Sequence, residues 1–166
     1  MSLFLEEGLG LDKLHSLKAA PSNHYPYSRK LLYAGPECEV MLATWANSLS
    51  CAPHDHGISC GWVFYLQGDF EEMTYRWQDG LLKIDAKRLL PVGSHIDISE
   101  NTIHSCKALS QGLSLHIYFP RIEGMRVHDL RNQQTLLVAD DCGAWIPSNK
   151  KDVKEIIQWP LLLASS

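Results

Sequence analysis

The segment PHDHGISCGWVFYLQG, residues 53–68, places two histidines directly before a run of apolar and aromatic residues. In an extended chain alternate side chains share a face, so His54 and His56 are expected about 6.5–7 Å apart at Cα, from a rise of ~3.3 Å per residue. Two imidazoles at that separation can bind one metal ion, whereas Asp55 points to the opposite face. A polar loop that happens to contain two histidines explains the segment equally well.

Short apolar runs separated by turn residues continue on both sides of this segment and predict β-strands. Turns are predicted at residues 78–80 (QDG) and 91–93 (PVG). The predicted strands cover residues 39–45, 61–67, 72–77, 81–90, 95–98, 103–109, 113–119 and 124–128. Strands of this length and spacing indicate an all-β sandwich or barrel. Leucines at loose helical spacing predict a helical segment within residues 1–20, and residues 151–163 fit either a short helix or an apolar flap.

Composition excludes several classes of protein. The chain has 166 residues, 45% of them hydrophobic and 20% charged, as in an ordinary globular domain. Its net charge of −4 and scattered basic residues argue against a nucleic-acid partner. No apolar run approaches the ~18 residues of a membrane span, and residues 1–7 lack the basic start of a secretory signal. Five dispersed cysteines without a C-x-x-C pair favour the reducing cytoplasm.

Two spaced motifs resemble those of the cupin superfamily. His54-x-His56-x4-Gly61-x6-Gly68 has the spacing of the first cupin motif, and Gly93-x5-Ser99-x-Asn101-x2-His104 has that of the second. The resemblance implies a small cupin-type β-barrel (a double-sheet jelly roll) with a short N-terminal helical segment. We expect a single cupin domain over residues 1–166, with the helical segment at 1–20, the barrel at 25–130 and a C-terminal tail at 150–166.

The second motif supplies a third metal ligand. His104 occupies its histidine position and is preferred, although His95, nine residues upstream, remains the rival. Gly61 stands where cupins usually have a glutamate ligand, and Asn101 replaces a glycine. Asparagine is enriched among the non-glycine residues with positive φ, so the tight turn at Asn101 can be kept. His15, His24 and His128 have no patterned neighbours and are expected at the surface.

Three histidines form a ligand set without charge, so a divalent metal keeps its full +2. Such a site favours anionic co-ligands, and thiolate suits a soft, redox-active ion. Three ligands on one face of an octahedral ion leave three adjacent positions for a chelating substrate and dioxygen. The same histidines could also hold zinc for hydrolysis.

Residues 113–119 (LSLHIYF) alternate without interruption, which places Ser114, His116 and Tyr118 on one face of a strand. On a solvated outer face this row has no special role. On the inner face of a small barrel it forms a hydrogen-bonded relay that ends in a phenol near the metal.

Four segments in the same order resemble the cysteine dioxygenase family, between about Tyr25 and Met125. They are residues 27–33 (YSRKLLY), residues 54–68 with the H-D-H block, Ile103-His104, and residues 114–120 (SLHIYFP). The last segment resembles the family's S-L-H-x-Y-x-P strand. The resemblance implies that the peptide bond before Pro120 can be cis.

The resemblance implies a role for each matching residue. His54, His56 and His104 would bind Fe(II), L-cysteine would bind it through thiolate and amine, and O2 would take the remaining position. The substrate carboxylate would be bound by Arg29, helped by Tyr27 and Tyr118. The relay would be formed by Ser114, His116 and Tyr118. The product would be cysteine sulfinic acid, within cysteine catabolism and taurine metabolism.

Departures from the family pattern bear on the cross-link and on the substrate. Gly61 stands where animal enzymes have a cysteine cross-linked to the tyrosine, and the neighbouring Cys60 should face the opposite way, so we expect no thioether to Tyr118. Arg29 favours cysteine over 3-mercaptopropionate, whose dioxygenases carry glutamine there, but it would also accept mercaptosuccinate. A ligand-sensing cupin without catalysis and a zinc or manganese hydrolase or isomerase are also compatible with the histidines. A monomer or a small homo-oligomer is expected.

Overall fold

A computed structural model describes residues 10–160, and within that range the chain forms one short helix, α1 (Leu11–Leu17), and twelve strands. The strands are β1 (Tyr27–Ala34), β2 (Glu39–Trp45), β3 (His54–Asp55), β4 (Cys60–Gln67), β5 (Phe70–Gln78), β6 (Leu81–Leu90), β7 (His95–Ile98), β8 (Ile103–Ala108), β9 (Gly112–Phe119), β10 (Arg126–Asp129), β11 (Gln134–Val138) and β12 (Val153–Gln158). Residues 1–9 of the predicted helical segment and residues 161–166 of the tail lie outside the described range. No helix in the described range has both the length and the apolar character needed to cross a membrane.

The strands form two antiparallel sheets. One has five strands in the order β1-β2-β9-β4-β7, and the other has seven in the order β12-β11-β10-β3-β8-β5-β6. The largest buried apolar cluster includes residues from both sheets, among them Val63, Phe70 and Val127, which are at most 2% exposed. The predicted all-β, double-sheet fold is confirmed. It forms because residues of alternating polarity turn one face of each strand toward a shared core.

All eight predicted strands are present, with ends that differ by a few residues at most. The turn at Asn101 is also confirmed, since its φ is 63°, and the Phe119–Pro120 peptide bond is cis. Strands β1 and β11 were not predicted. The edge position of β1 explains the first omission, because β1 has few buried residues and therefore a weak apolar alternation.

The prediction for the C-terminal tail is wrong over its described part. Residues Val153–Gln158 form neither a helix nor a flap but strand β12, which pairs with β11. The seven-stranded sheet therefore continues beyond residue 130, where the barrel was expected to end. Strand β12 is largely exposed, so its sequence has no apolar alternation, and pairing with β11 supplies the backbone partners that make it a strand.

The surface prediction for His128 is also wrong. This residue is 3% exposed in β10, with its ring against Trp77 and its Nδ1 2.9 Å from Thr135 Oγ1. His24 is exposed, as predicted. The sequence around His128 gives no alternation to reveal burial, which arises from packing against β5 and β11.

Candidate metal centre

Three histidines from two adjacent strands converge in the core. His54 on β3 is the direct cross-strand partner of His104 on β8, and His56 follows β3 by one residue. Their ring centroids lie 4.7–5.3 Å apart, and each offers a nitrogen within 4.8 Å of the others. All three are between 3% and 6% exposed. The structure thus brings together the three residues that the two motifs single out, whereas the rival His95 is exposed on β7.

The donor atoms of this cluster fit a bound cation. His54 Nδ1 lies 3.0 Å from the carbonyl of Ala52, which fixes the proton there and leaves Nε2 as a lone-pair donor. His104 Nε2 is buried without a hydrogen-bond partner in the protein. Burial lowers the pKa of His54 to about 3 and that of His56 well below its usual value, so both rings stay neutral. Neutral, unpartnered imidazole nitrogens are the form that a divalent metal requires.

Glu72 on β5 orients the third histidine, although it lies outside both spaced motifs. Its carboxylate, 1% exposed, lies 2.9 Å from His104 Nδ1 and also accepts a hydrogen bond from Arg88. Burial alone would raise the pKa of Glu72, but the hydrogen bond from His104 and the hydrogen bond and charge of Arg88 outweigh it and lower that pKa. The ionised carboxylate holds the proton of His104 on Nδ1, so Nε2 faces the cluster as an acceptor. Glu72 shares a strand face with Phe70. An acidic residue on an otherwise apolar face is the sequence signal that could have identified it.

We expect Glu72→Gln to weaken metal binding about tenfold, the lower end of what such carboxylate–histidine contacts contribute. Glutamine keeps the volume but loses the charge that polarises the His104 ring. Competition between the protein and a chromophoric chelator for Zn(II) measures the affinity directly.

Glu71→Gln is the matched control, because the neighbouring Glu71 side chain binds Lys87 at 2.8 Å instead of a histidine. An equal loss of affinity in the two variants would contradict the assignment of Glu72.

A second buried network anchors the H-x-H segment from its other face. The Asp55 carboxylate accepts from Arg126 Nε at 2.9 Å, and His128 Nε2 lies 3.4 Å from it. Trp159 Nε1 donates to Thr135 Oγ1 at 2.9 Å, so the Thr135 proton is left for His128 Nδ1, also at 2.9 Å. Asp55 therefore points away from the histidine cluster, as predicted. These partners come from β10 and the C-terminal strands, so they were not visible in the motif.

Hydrogen bonds also fix the direction of the polar row on β9. The Trp45 indole N–H donates to Ser114 Oγ at 2.8 Å, which leaves the single hydroxyl proton of Ser114 for His116 Nε2, 2.7 Å away. Burial lowers the pKa of His116 to about 3, so the neutral ring carries its proton on Nδ1 and donates to the Tyr118 oxygen at 3.0 Å. The Tyr118 hydroxyl lies 3.2 Å from His56 Nε2 and can donate toward the cluster. The row faces inward, and a solvated outer face is excluded.

A cavity of about 40 Å³, called here the inner cavity, lies beside the histidines. Its lining includes Tyr27, Arg29, Cys51, His54, His56, Tyr65, His104, Cys106, His116 and Tyr118. Burial raises the pKa of Cys51 to about 12 and that of Cys106 well above its usual value. Both thiols therefore stay neutral and do not compete as thiolates for a cation.

Two residues of β1, Tyr27 and Arg29, line the inner cavity. Arg29 is half-buried, and its Nη2 donates to the backbone carbonyl of Asp141 at 2.7 Å. The Tyr27 hydroxyl accepts from the backbone N–H of Ala144 at 2.8 Å, and its ring packs on Trp45. Burial raises the pKa of Tyr27, so its hydroxyl remains a proton donor. A guanidinium and a phenol thus line the same cavity as the histidines.

Neither Gly61 nor Cys60 of β4 offers a thiol to Tyr118. Gly61 is the cross-strand partner of Tyr118, and a Cβ atom at Gly61 would lie 1.9 Å from the backbone oxygen of Ile117. The strands approach so closely that only glycine fits without a shift of the backbone. The Cys60 thiol donates to the Phe119 carbonyl at 3.2 Å, away from the phenol.

Comparison with known proteins gives a family. A family model described as "Cysteine dioxygenase type I" matches residues 17–131. Cysteine dioxygenase type 1 of Danio rerio is 27% identical over 128 residues, which cover 69% of this chain and 62% of that relative. The chain therefore spans less than two thirds of the length of this curated relative.

Solved structures support the fold alone. A protein with a double-stranded β-helix domain from Klebsiella pneumoniae matches with a TM-score of 0.58 at 13% identity, covering 74% of this chain and 92% of that one. An RmlC-like cupin from Desulfovibrio desulfuricans matches with a TM-score of 0.52 at 19% identity, covering 63% and 91%. The family match extends from the last residue of α1 to just past the end of β10 and includes all three clustered histidines, and this chain belongs to the cysteine dioxygenase type I family.

Proposed function

We propose that this protein is a non-haem Fe(II) thiol dioxygenase that converts L-cysteine and O2 to cysteine sulfinic acid. The observation that supports it most is the convergence of His54, His56 and His104 in a cavity also lined by Arg29 and Tyr118. A neutral ligand set leaves the full charge of a divalent ion to attract a thiolate. The reaction R–SH + O2 → R–SO2H balances without a further reductant, because both oxygen atoms become bonded to sulfur.

The three histidines hold the iron in this proposal. Bound Fe(II) supplies the redox chemistry that allows a thiolate and dioxygen to react. Glu72 and the Ala52 carbonyl keep His104 and His54 in the tautomers that present a lone pair. Because the rings are buried and held by their partners, little reorganisation accompanies metal binding.

Arg29 binds the substrate carboxylate and thereby orients the thiol toward the histidines. One N–H of the guanidinium is used by Asp141, so four remain for a ligand, two of them in a fork that matches a carboxylate. Tyr27 assists, because its oxygen accepts from Ala144 while its own proton is free to donate. Such charge-assisted contacts are about twice as strong as neutral ones.

Tyr118 is the group of the relay that contacts the substrate. Burial raises the pKa of Tyr118, so it acts as a neutral phenol that donates a hydrogen bond. Ser114 and His116 are positioning residues, since they fix the orientation of the phenol through the chain that begins at Trp45. The proton of Tyr118 is thus directed into the inner cavity.

We place the protein in the cytoplasm, as a monomer or a small homo-oligomer acting in cysteine catabolism and taurine metabolism. All five cysteines are free thiols, which is compatible with a reducing compartment. No nucleic-acid or membrane partner is proposed.

Oxygen uptake by the iron-loaded protein tests the function. We expect L-cysteine to be consumed with one O2 per thiol, and mass spectrometry of an 18O2 reaction to find both labelled atoms in the sulfinate. Zinc-loaded protein is the control and should consume no oxygen, because Zn(II) is not redox-active.

Three outcomes would contradict the proposal. Uptake with mercaptosuccinate or 3-mercaptopropionate but not with L-cysteine would make the substrate wrong. Thiol binding without any uptake would favour a ligand-sensing cupin. Stoichiometric zinc or manganese in the purified protein, with no activity restored by iron, would favour a hydrolase or isomerase.

A further inference from the structure

A network of polar side chains, called here the back network, lies behind the H-x-H segment. It consists of Asp55 on β3, Arg126 and His128 on β10, Thr135 on β11 and Trp159, the first residue after β12. All of these except Arg126 are at most 7% exposed, and none of the five lines the inner cavity. Thr135 and Trp159 also lie beyond residue 131, where the family match ends.

The back network repeats the order of hydrogen-bonding groups found in the polar row on β9. In both, an indole N–H donates to a hydroxyl, which keeps its own proton for a histidine ring. In the back network the indole is that of Trp159, the hydroxyl that of Thr135 and the ring that of His128, with both contacts at 2.9 Å. Because His128 Nδ1 is the acceptor, the ring proton is on Nε2, which lies 3.4 Å from the Asp55 carboxylate. The relay therefore runs from Trp159 toward Asp55.

Asp55 connects this relay to the two histidines that flank it in the chain. Its Oδ1 accepts from the backbone N–H of Gly57 at 3.0 Å, and its Oδ2 accepts from Arg126 Nε at 2.9 Å. Gly57 has a φ of 63°, and a Cβ atom there would lie 2.4 Å from the backbone oxygen of Glu123, so only glycine fits this turn. The Asp55 carboxylate thus holds the turn that directly follows His56.

The two side-chain partners of Asp55 differ in burial. The side chain of Arg126 is 41% exposed, whereas that of His128 is 3% exposed. Water screens a charge contact at a half-exposed group more than one inside the core. His128 is therefore the partner through which a change in the core reaches Asp55.

We propose that the back network positions the two histidines of the H-x-H segment for one cation, and that it does so through Asp55. Its positioning residues are Trp159, Thr135 and His128. The inference rests on the part of the proposed function that gives the histidine cluster a metal ion, and it is independent of the substrate. It places part of the support for the metal centre in β11 and just after β12, outside the residues that the family match covers.

Competition between the protein and a chromophoric chelator for Zn(II) tests the inference without any turnover. We expect Asp55→Asn to weaken binding about tenfold, because it removes the charge that holds the turn after His56. Thr135→Val should weaken binding about threefold, since the lost hydroxyl acts on the segment only through two further contacts. Thr135→Ser keeps the hydroxyl and should bind Zn(II) as tightly as the parent protein.

A double variant tests whether Thr135 acts through Asp55. Residues that act in one chain are not additive, so Asp55→Asn combined with Thr135→Val should lose about tenfold in affinity, as Asp55→Asn does alone. Two independent structural effects would instead multiply to about thirtyfold. Circular dichroism of each variant checks the fold.

Thr44→Val is the matched control, and it should leave the affinity unchanged. Thr44 is a threonine on β2, 2% exposed, and its Oγ1 has no hydrogen-bond partner among the described residues. Equal losses in Thr44→Val and Thr135→Val would overturn the inference. A loss in Thr135→Ser as large as that in Thr135→Val, or losses that multiply in the double variant, would do the same.

Nitrogen-15 NMR of the zinc-loaded parent protein gives a test that needs no variant. We expect His128 to carry its proton on Nε2 and to accept at Nδ1, and the reverse tautomer would refute the relay. If the variants change Zn(II) affinity as expected but the iron-loaded protein oxidises no thiol, the proposed function fails while the back network keeps its role. If the parent protein binds no Zn(II), both fail.

Discussion

Replacing His104 with alanine is expected to reduce bound iron from one equivalent to a trace and oxygen uptake to background. Of the three clustered histidines, His104 alone lies on β8. Its removal therefore leaves His54 and His56, which belong to one segment. The substitution also leaves the buried Glu72 carboxylate with Arg88 as its remaining side-chain partner. Two histidines hold a divalent ion far more weakly than three, so loss of metal rather than slower chemistry is the primary effect. Metal analysis after dialysis, together with the oxygen electrode, measures both quantities.

His95→Ala provides the control, because His95 was the rival ligand and lies exposed on β7 beside Phe64. It should retain one equivalent of iron and full uptake. His104→Gln, which nearly preserves the volume, guards against loss of metal through unfolding, and circular dichroism of each variant checks the fold. Iron retained in folded His104→Gln and lost in His95→Ala would refute the assigned ligand set.

Replacing Tyr118 with phenylalanine is expected to lower kcat for L-cysteine oxidation about 100-fold, with a smaller effect on KM. Positioned proton donors typically contribute 10²–10⁴-fold, and the lower value fits a phenol that donates a hydrogen bond without titrating. The ring stays in its packed place, 4.8 Å from the His56 ring, so iron content should not change. Steady-state oxygen uptake and metal analysis on the same preparations separate the two effects.

Tyr65→Phe is the matched control, since it removes another buried phenol from the same cavity. The Tyr65 hydroxyl lies 3.3 Å from Cys106 Sγ and takes no part in the relay. Its kcat should remain within a few-fold of the parent protein. Similar losses in the two variants would mean that any phenol lost from this cavity impairs turnover, and the specific role of Tyr118 would be withdrawn.

The site residues that could be predicted from the sequence all belong to patterns formed by residues close together in the chain. The H-x-H pair, the spacing to His104, and the alternation of Ser114, His116 and Tyr118 depend on neighbours a few residues apart. Strand periodicity is a local signal of the same kind, which explains why the eight predicted strands are present. The exposed strand β12 lacked that alternation and was missed.

The partners that orient the site depend on contacts between distant parts of the chain. Trp45 has only the sequence pattern of a packing residue, yet it donates to Ser114, 69 residues away, and thereby sets the direction of the relay. Glu72 reaches His104 across β5 and β8. His128 was expected at the surface and instead lies buried beside Asp55.

The sequence by itself determined the all-β class, the three histidines and the polar row on β9, because strand period and motif spacing are properties of the backbone over short distances. The tertiary structure decided which face of that row is buried, which acid holds His104 and that His128 is buried beside Asp55. Those outcomes depend on which strands become neighbours in each sheet and on how the two sheets pack, and a hydrogen bond between strands forms only after that order is set.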